Sequence, residues 1–330
     1  MKSLWRQTFA AALAIGLALP AAEAQTVKLR YGVIAASAKN VQSVPLYIAQ
    51  RKGFFAREGV EFDIVPLPGV HHMIAELDKN NVQLSFTAVP SLVEAVLKGS
   101  EAVGVIGGPA NTAYSIIVKP EIRTFADLKG KAVAVSLPVD TISIATRMLL
   151  AKHGINEGDF VPKQHVGTPV RAKCLESGEC DAAPLAQPED FNFLKKGYRK
   201  LGDSLEVIPH LQFSVIAARR AWAKENADSI MRFARAYGAA YRFMADPANR
   251  DEVVNIMTQT TGTDAAMARE VLKFYYEPDR GIMPKQAEIS MPGMAMVIEL
   301  LGKSGALPAP LPPADRFVDL QYLRGAKLQP

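Results

Sequence analysis

The feature that most constrains the fold of this chain is a regular alternation of short apolar strands with helices, and it occurs twice. In the first half, hydrophobic periodicity predicts strands at 27–34, 61–66 and 82–87, with helices at 45–52, 70–78 and 92–98. In the second half, it predicts strands at 131–136, 160–166 and 180–185, with helices at 141–153, at 169–176 and after Pro188. Parallel strands need a crossover that is usually a helix, so each half is predicted to form an open parallel α/β sheet.

Two apolar, extended segments are predicted to connect these halves. The first covers 110–118 and the second is a strand at 211–217, and neither has the Ser- and Gly-rich composition of a flexible linker. Beyond Trp222 the sequence predicts helices at 226–245, 250–260 and 265–276 and a last short helix near 315–323, which we expect to pack on the first half. Ligands of open α/β sheets bind beyond the carboxyl ends of the strands, so two such units facing each other would enclose a shared cleft.

The N-terminus has the pattern of an export signal. Lys2 and Arg6 precede an apolar run at 9–19, and Ala22-Glu23-Ala24 is a small-x-small cleavage pattern. We therefore predict a signal peptide at 1–24, cleaved near Ala24, and a periplasmic location. The alternative is an uncleaved anchor, but a run of about ten apolar residues is well short of the roughly 20 that span a bilayer.

Charge and cysteine content exclude some functions and favour others. The net charge of +5 is mild and the cations form no clusters, so we expect no nucleic-acid partner. Cys174 and Cys180 are the two cysteines of the chain. Export favours a disulfide between them, and a reduced pair is the alternative. Two cysteines are too few for a structural zinc site, so we expect neither a metal nor a cofactor.

Three phrases of the sequence resemble those of the periplasmic solute-binding proteins of ABC transporters in the NMT1/THI5-like, SsuA/TauA-like family. The first is Pro45-Leu46-Tyr47-Ile48-Ala49 with Lys52-Gly53-Phe54-Phe55 and Glu58-Gly59-Val60. The second runs from Phe125 to Lys131 and the third from Leu175 to Ala182, where the family has similar "dLkGKkvav" and "lxxGevDA" segments. The similarity covers most of the chain after the signal peptide.

The resemblance implies a type II periplasmic binding fold, with two α/β lobes joined by two crossover strands and a ligand cleft between them. One lobe would comprise 27–112 together with the mostly helical 218–330, and the other would comprise 119–211. The lobes would close on a small-molecule ligand and be recognised by an inner-membrane ABC permease. We expect the protein to act as a monomer.

Candidate ligand contacts in the first lobe lie in loops that lead into helix N-termini, where free N–H groups favour anions. Short polar side chains suit such a site, while the longer Tyr47 would either cover a ring or pack in the lobe. Either His71 or His72 could donate a hydrogen bond to a ligand. Their side chains point about 100° apart, so the two cannot easily chelate one metal. The candidates in this lobe are Asn40, Ser43, Tyr47, His71, His72, Thr87 and Ser91.

In the second lobe, the candidates lie in the two matching loops. Asp140 and Thr141 begin the predicted helix 141–153, where each could instead be an ordinary N-cap, as could Ser91 in the first lobe. An aspartate facing the cleft would favour a ligand with an amine or N–H donor. Leu185 and Gln187 would line the opposite loop, and Phe213 on the return crossing would be a ring wall or hinge packing. No arginine can be assigned to a cleft loop.

These observations favour a receptor over an enzyme. The ligand would be a small organic molecule such as a carboxylate, a sulfonate or a pyrimidine-like heterocycle. Sensing for a membrane kinase or chemoreceptor uses the same closure as uptake, so the sequence does not separate the two. Fungal pyrimidine-precursor synthases share the fold of the family, but their dense cysteine run has no counterpart here. Nucleophile-elbow, phosphate-loop and paired-carboxylate motifs are not found in the sequence either.

Overall fold

The computed structural model describes residues 26–35, 38–111, 113–138, 140–276 and 282–329. The predicted signal peptide lies outside these residues. Within them, every helix is too short or too polar to cross a membrane.

The strands alternate with helices along the first two thirds of the chain, as the periodicity predicts. They are β1 (Val27–Ile34), β2 (Val60–Leu67), β3 (Leu84–Ala88), β4 (Ala102–Gly107), β5 (Ser115–Val118), β6 (Ala132–Val135), β7 (Val161–Gln164), β8 (Ala182–Leu185), β9 (Arg199–Asp203) and β10 (Ser214–Arg219).

The helices either follow these strands or form the C-terminal third of the chain. They are α1 (Val44–Arg51), α2 (Phe54–Arg57), α3 (Val70–Asp78), α4 (Val89–Leu97), α5 (Thr141–Lys152), α6 (Thr168–Ser177), α7 (Glu189–Lys195), α8 (Arg220–Glu225), α9 (Ala227–Ala245), α10 (Arg250–Thr261), α11 (Ala265–Tyr275), α12 (Met291–Lys303) and α13 (Gln321–Gly325). Short 3₁₀ helices lie at Val41–Ser43, Phe125–Leu128, Ser204–Glu206, Pro247–Asn249 and Ala314–Phe317.

The strands form two five-stranded sheets with related topologies. The first has the order β2-β1-β3-β10-β4 and the second β7-β6-β8-β5-β9. In each sheet four strands run in one direction, and the strand that arrives from the other sheet's half of the chain is antiparallel to both of its neighbours. The prediction of open parallel sheets therefore holds for four strands of each sheet and was wrong for the inserted one. The inserted strands, β10 and β5, come from a connection between lobes rather than from a helical crossover, and the parallel-strand rule does not apply to them.

We call the first sheet with its packed helices lobe I and the second lobe II. In lobe I the long helix α9 packs across α1 and α2, and its apolar residues recur every three or four positions. Phe233 of α9 stacks on Tyr31 of β1 with ring centroids 5.6 Å apart, and Phe55 lies 4.7 Å from the ring of Phe233. These aromatic contacts fix the C-terminal helices on the sheet that begins the chain.

Lobe II has a separate apolar cluster on each face of its sheet. One contains Leu128, Val133 and Leu149, and the other contains Leu175 and Ala183. Cys174 of α6 and Cys180, just before β8, form a disulfide with Cα atoms 5.3 Å apart. It closes the turn between a helix and the strand on which that helix packs.

The two chain crossings between the lobes lie side by side and are hydrogen-bonded to each other. The Phe213 N–H donates to the Ala110 carbonyl at 2.8 Å, and the buried Asn111 side chain donates to the Ile208 carbonyl at 3.0 Å. The second crossing differs from the prediction, because the strand begins at Ser214 and residues 211–213 belong to no strand.

Several elements were not predicted from the sequence. Strands β4 and β9 and helix α12 were missed, and the helix predicted near 315–323 was wrong as a single element. A 3₁₀ turn at Ala314–Phe317 and helix α13 occupy that region, separated by residues 318–320. Val318 forms a bridge with Gly104 of β4 instead, so pairing with lobe I interrupts the helix.

Candidate ligand-binding site

The carboxyl ends of the parallel strands of both lobes face a cavity of about 820 Å³. Lobe I contributes the loop after β1, the end of β3 and the start of α4, while lobe II contributes the start of α6 and the loop between β8 and α7. Its polar lining includes Lys39, Asn40, Gln42, Ser43, Thr87, Ser91, Thr168, Arg171, Gln187 and Glu189. Aromatic residues Tyr31, Phe86, Tyr114, Phe213, Tyr237 and Tyr275 supply much of the remaining wall. This combination of an apolar body with a few polar groups is typical of a small-molecule site.

In lobe I, the loop after β1 is organised by a side-chain cap. Asn40 Oδ1 accepts from both the backbone N–H and the hydroxyl of Ser43, each at 3.0 Å, at the start of the 3₁₀ turn Val41–Ser43. This cap holds Asn40 and Ser43 at the cavity wall just before α1. Tyr47 is not among the lining residues, because its hydroxyl turns back to donate to the Ala38 carbonyl at 3.0 Å.

The second part of the lobe I wall lies at the junction of β3 and α4. Thr87 is almost fully buried and its hydroxyl donates to the Ser85 carbonyl at 3.2 Å. Ser91 lies in the first turn of α4, where the helix end presents free backbone N–H groups. Phe213 lies beside them at the crossing. The structure therefore brings Asn40, Ser43, Thr87, Ser91 and Phe213 to one wall.

In lobe II, Gln187 is held by a buried carboxylate behind the cavity wall. Its Nε2 donates to Asp190 Oδ2 at 2.8 Å and to the Ala113 carbonyl at 3.2 Å. Asp190 also accepts from the Ser115 hydroxyl at 2.8 Å, and burial raises the pKa of Asp190 above its ordinary value. The amide nitrogen of Gln187 is thus used inside the protein, and its Oε1 is the atom left for a ligand.

Two charged residues of this wall were missed by the sequence reasoning. Arg171 is fully buried in the wall, with Nε donating to the Pro184 carbonyl at 2.8 Å and NH2 to the Thr168 hydroxyl at 3.1 Å. No carboxylate lies within ion-pair distance of it among the described residues. No arginine was assigned to a cleft loop from the sequence, and Arg171 reaches the wall from the first turns of α6 rather than from a loop.

Glu189 is the second missed residue, and it is half-buried at the start of α7. Burial is the largest cause, and it raises the pKa of Glu189 above the ordinary value of 4.5. The charge of Asp190 also raises this pKa, while the backbone N–H of Glu189 and the charge of Arg171 lower it. A carboxyl of this kind at a cavity wall can accept from an N–H donor of a ligand. Its position directly after Gln187-Pro188 was a usable signal in the sequence.

The remaining lobe II candidates do not line the cavity. Asp140 accepts from the backbone N–H groups of Ser143 at 2.8 Å and Leu137 at 3.1 Å, so it is the N-cap of α5. Thr141 is buried behind it, and Leu185 is fully buried in the lobe II sheet. Asp140, Thr141 and Leu185 are therefore not among the lining residues that the structure describes, because helix capping and sheet packing direct these side chains elsewhere.

The histidines contribute nothing to the described lining. His72 is exposed on α3, and the side chain of His71 lies outside the described residues. His165 lies within 4.8 Å of the sulfurs of Cys174 and Cys180, but those sulfurs are bonded to each other and cannot act as thiolate ligands in this state. Its Nε2 lies 3.3 Å from a carboxylate oxygen of Glu179.

Two α/β lobes, two paired crossings and a cavity between strand ends define the class of the protein: it has the fold of a periplasmic binding protein. A family model described as NMT1/THI5-like matches residues 40–250, and the chain belongs to this family. The chain is similar to the "Putative binding protein YtlA" of Bacillus subtilis, with 22% identity over 279 residues that cover 81% of each chain.

Solved structures show the same fold. The periplasmic aliphatic sulphonate binding protein SsuA from Escherichia coli matches with a TM-score of 0.71 and 19% identity, over 88% of this chain and 92% of that one. The desulfurization enzyme DSZB matches with a TM-score of 0.67 and 16% identity, over 91% of this chain and 98% of the enzyme. One architecture therefore serves both receptors and an enzyme, so fold alone does not decide the activity.

We predict that Asp140→Ala lowers the free energy of unfolding by about 1 kcal/mol, because it removes the side-chain cap of α5. Urea unfolding followed by circular dichroism measures this change. Asp140→Asn is the matched control, since it keeps the capping oxygen and removes the charge, and we expect it to retain most of the stability. If Asp140→Asn is destabilised as much as Asp140→Ala, the charge and not the cap is what α5 requires.

Proposed function

We propose that this protein is the periplasmic substrate-binding component of an ABC importer. It would capture a small organic molecule by closure of its lobes and deliver it to an inner-membrane permease. The observation that carries the proposal is the cavity itself, which takes its lining from loops of both lobes and from the crossing between them. A ligand that contacts both walls binds the closed state more strongly, and this difference in affinity is what drives closure.

The same proposal includes export, lobe limits and oligomeric state. We propose that 1–24 is a cleaved signal peptide, that 27–112 and 218–330 form one lobe and 119–211 the other, and that the protein acts as a monomer. The hydrogen-bonded crossings support this division, since they connect the two sheets at one place. Sensing through a membrane receptor would use the same cavity, and the family resemblance to importer components favours uptake.

We propose a receptor rather than an enzyme on the chemistry of the lining. A catalytic site of this fold would be expected to use an activated cysteine as nucleophile or a histidine as base. Both cysteines form the disulfide, and the histidines with described side chains lie outside the lining. The lining instead offers hydrogen-bonding groups and aromatic faces, which suit binding and release.

The charges of the lobe II wall restrict the ligand. Arg171 supplies a positive potential from behind the wall, and Glu189 presents a carboxyl to the cavity. A ligand that complements both carries an N–H or amine group beside an acceptor or anionic group. We propose an amino-substituted carboxylate, sulfonate or heterocycle with a flat or apolar body, because Phe86, Phe213 and Tyr114 offer ring surfaces.

Thermal-shift screening of the chain without its signal segment tests the function. The compounds are carboxylates, sulfonates and pyrimidines, each with and without an amino group. We expect a ligand present at about 100 times its Kd to stabilise the fold by about 2.7 kcal/mol, seen as a higher melting temperature. Gln187→Ala should weaken the binding of that compound. A ligand whose affinity is unchanged in Gln187→Ala and Glu189→Gln binds elsewhere, and that result would contradict the proposed site.

We predict that the affinity for an amine-bearing ligand rises with pH from about 4.5 upward, because the ionised carboxylate of Glu189 is the form that pairs with an ammonium group. The raised pKa of Glu189 places this rise above the ordinary range of a glutamate. Isothermal titration calorimetry between about pH 4 and 8 measures it, a range that begins near the ordinary pKa of a glutamate and extends well above it.

In Glu189→Gln the affinity should be lower and its dependence on pH should be lost. The exposed Glu121 lies outside the cavity lining, so Glu121→Gln is the control and should keep the pH profile of the unmodified protein. An unchanged pH profile in Glu189→Gln would show that another group pairs with the amine.

A further inference from the structure

A second pocket lies on lobe I, apart from the cavity between the lobes. It has a volume of about 370 Å³ and is formed by α2, by α9 and by the chain just after α13. We call it the basic pocket and define it by Arg57, Glu58, Arg235, Arg242 and Lys327 around a floor that includes Phe54, Ala236, Ala239 and Leu328. It shares no lining residue with the cavity between the lobes.

The geometry of α9 explains why the pocket is both open and cationic. Arg235 and Arg242 are seven residues apart, which is two helical turns, so they lie on one face of the helix. Ala239 lies between them on the same face, and its short side chain leaves room above the helix surface. The floor is therefore apolar and shallow while the rim carries long cationic side chains.

The rim holds more positive charge than its own carboxylate neutralises. Arg235 pairs with Glu58, with Nε and NH2 each 2.8 Å from Oε2. Arg57 is held 4.6 Å above the ring of Phe54 and donates to a carbonyl, and Arg242 donates to a side-chain amide oxygen. Within the part of the chain that the structure describes, neither these two arginines nor Lys327 has a carboxylate within ion-pair distance.

Cations gathered on one small concave surface raise its positive potential, and a bound anion would relieve their mutual repulsion. Guanidinium groups bind phosphate oxygens through paired N–H donors, and an ammonium group adds a point charge that suits the same anion. We propose that the basic pocket binds a phosphate group. The group could belong to free inorganic phosphate or to the headgroup of an anionic phospholipid, and the pocket chemistry is the same for both.

The test uses the double variant Arg242→Gln with Lys327→Gln, which removes two rim cations and leaves the Arg235–Glu58 pair intact. The control is Arg123→Gln with Lys129→Gln, which removes one arginine and one lysine from exposed positions in lobe II. Melting temperatures are measured in sodium phosphate and in sodium chloride of equal ionic strength. In a second arm, co-sedimentation is measured with vesicles of phosphatidylcholine, alone or mixed with phosphatidylglycerol.

We expect phosphate to raise the melting temperature of the unmodified protein and of the control by a few degrees. In the double variant Arg242→Gln with Lys327→Gln, called the pocket variant, most of this rise should be lost. Retention on phosphatidylglycerol vesicles, lost in the pocket variant alone, would identify the lipid headgroup as the source of the phosphate. The proposal is overturned if neither probe binds. It is also overturned if the pocket variant and the control respond equally, since the anion would then bind elsewhere or act by screening.

Discussion

The paired crossings are the constraint on which the rest of the structure depends. Where the chain passes between the lobes, Phe213 and Ala110 are joined by a backbone hydrogen bond, and Gln212 is fully buried beside them. Gln212 Nε2 donates to the Ser214 carbonyl at 2.7 Å, and its Oε1 accepts from the Ser290 N–H at 2.7 Å. The crossing is thereby fixed to the start of α12. Two short chain passages that are bonded to each other would restrict any motion between the lobes to a bend at this place.

The cavity combines two different kinds of wall because its residues come from two different local structures. Lobe I presents short neutral groups such as Asn40 and Ser91, together with the exposed cation Lys39 in the loop after β1. Lobe II presents Gln187 and Glu189 in front of the buried Asp190 and Arg171. In a low-dielectric wall these charges act strongly on whatever enters. Selectivity among small organic molecules should therefore depend mainly on lobe II, and ring contacts should depend mainly on lobe I.

The sequence predicts the architecture better than it predicts the site. Strand β1 and helix α3 have the predicted bounds because their apolar periodicity and their flanking turns agree. Strand order is not contained in a local pattern, which is why the antiparallel insertion of β5 and β10 was not foreseen. The start of α5 was predicted correctly, and Asp140 takes the N-cap role that the sequence left open beside ligand contact. Arg171 was missed because only the tertiary packing of α6 brings it to the cavity.

The most direct test of the account is a crystal structure of the protein with the compound that stabilises it most. We expect ligand density between the lobes, in contact with Ser91 or Phe213 on one side and with Gln187 or Glu189 on the other. Density bound to one lobe alone, or on an outer surface with the cavity filled by water, would contradict it.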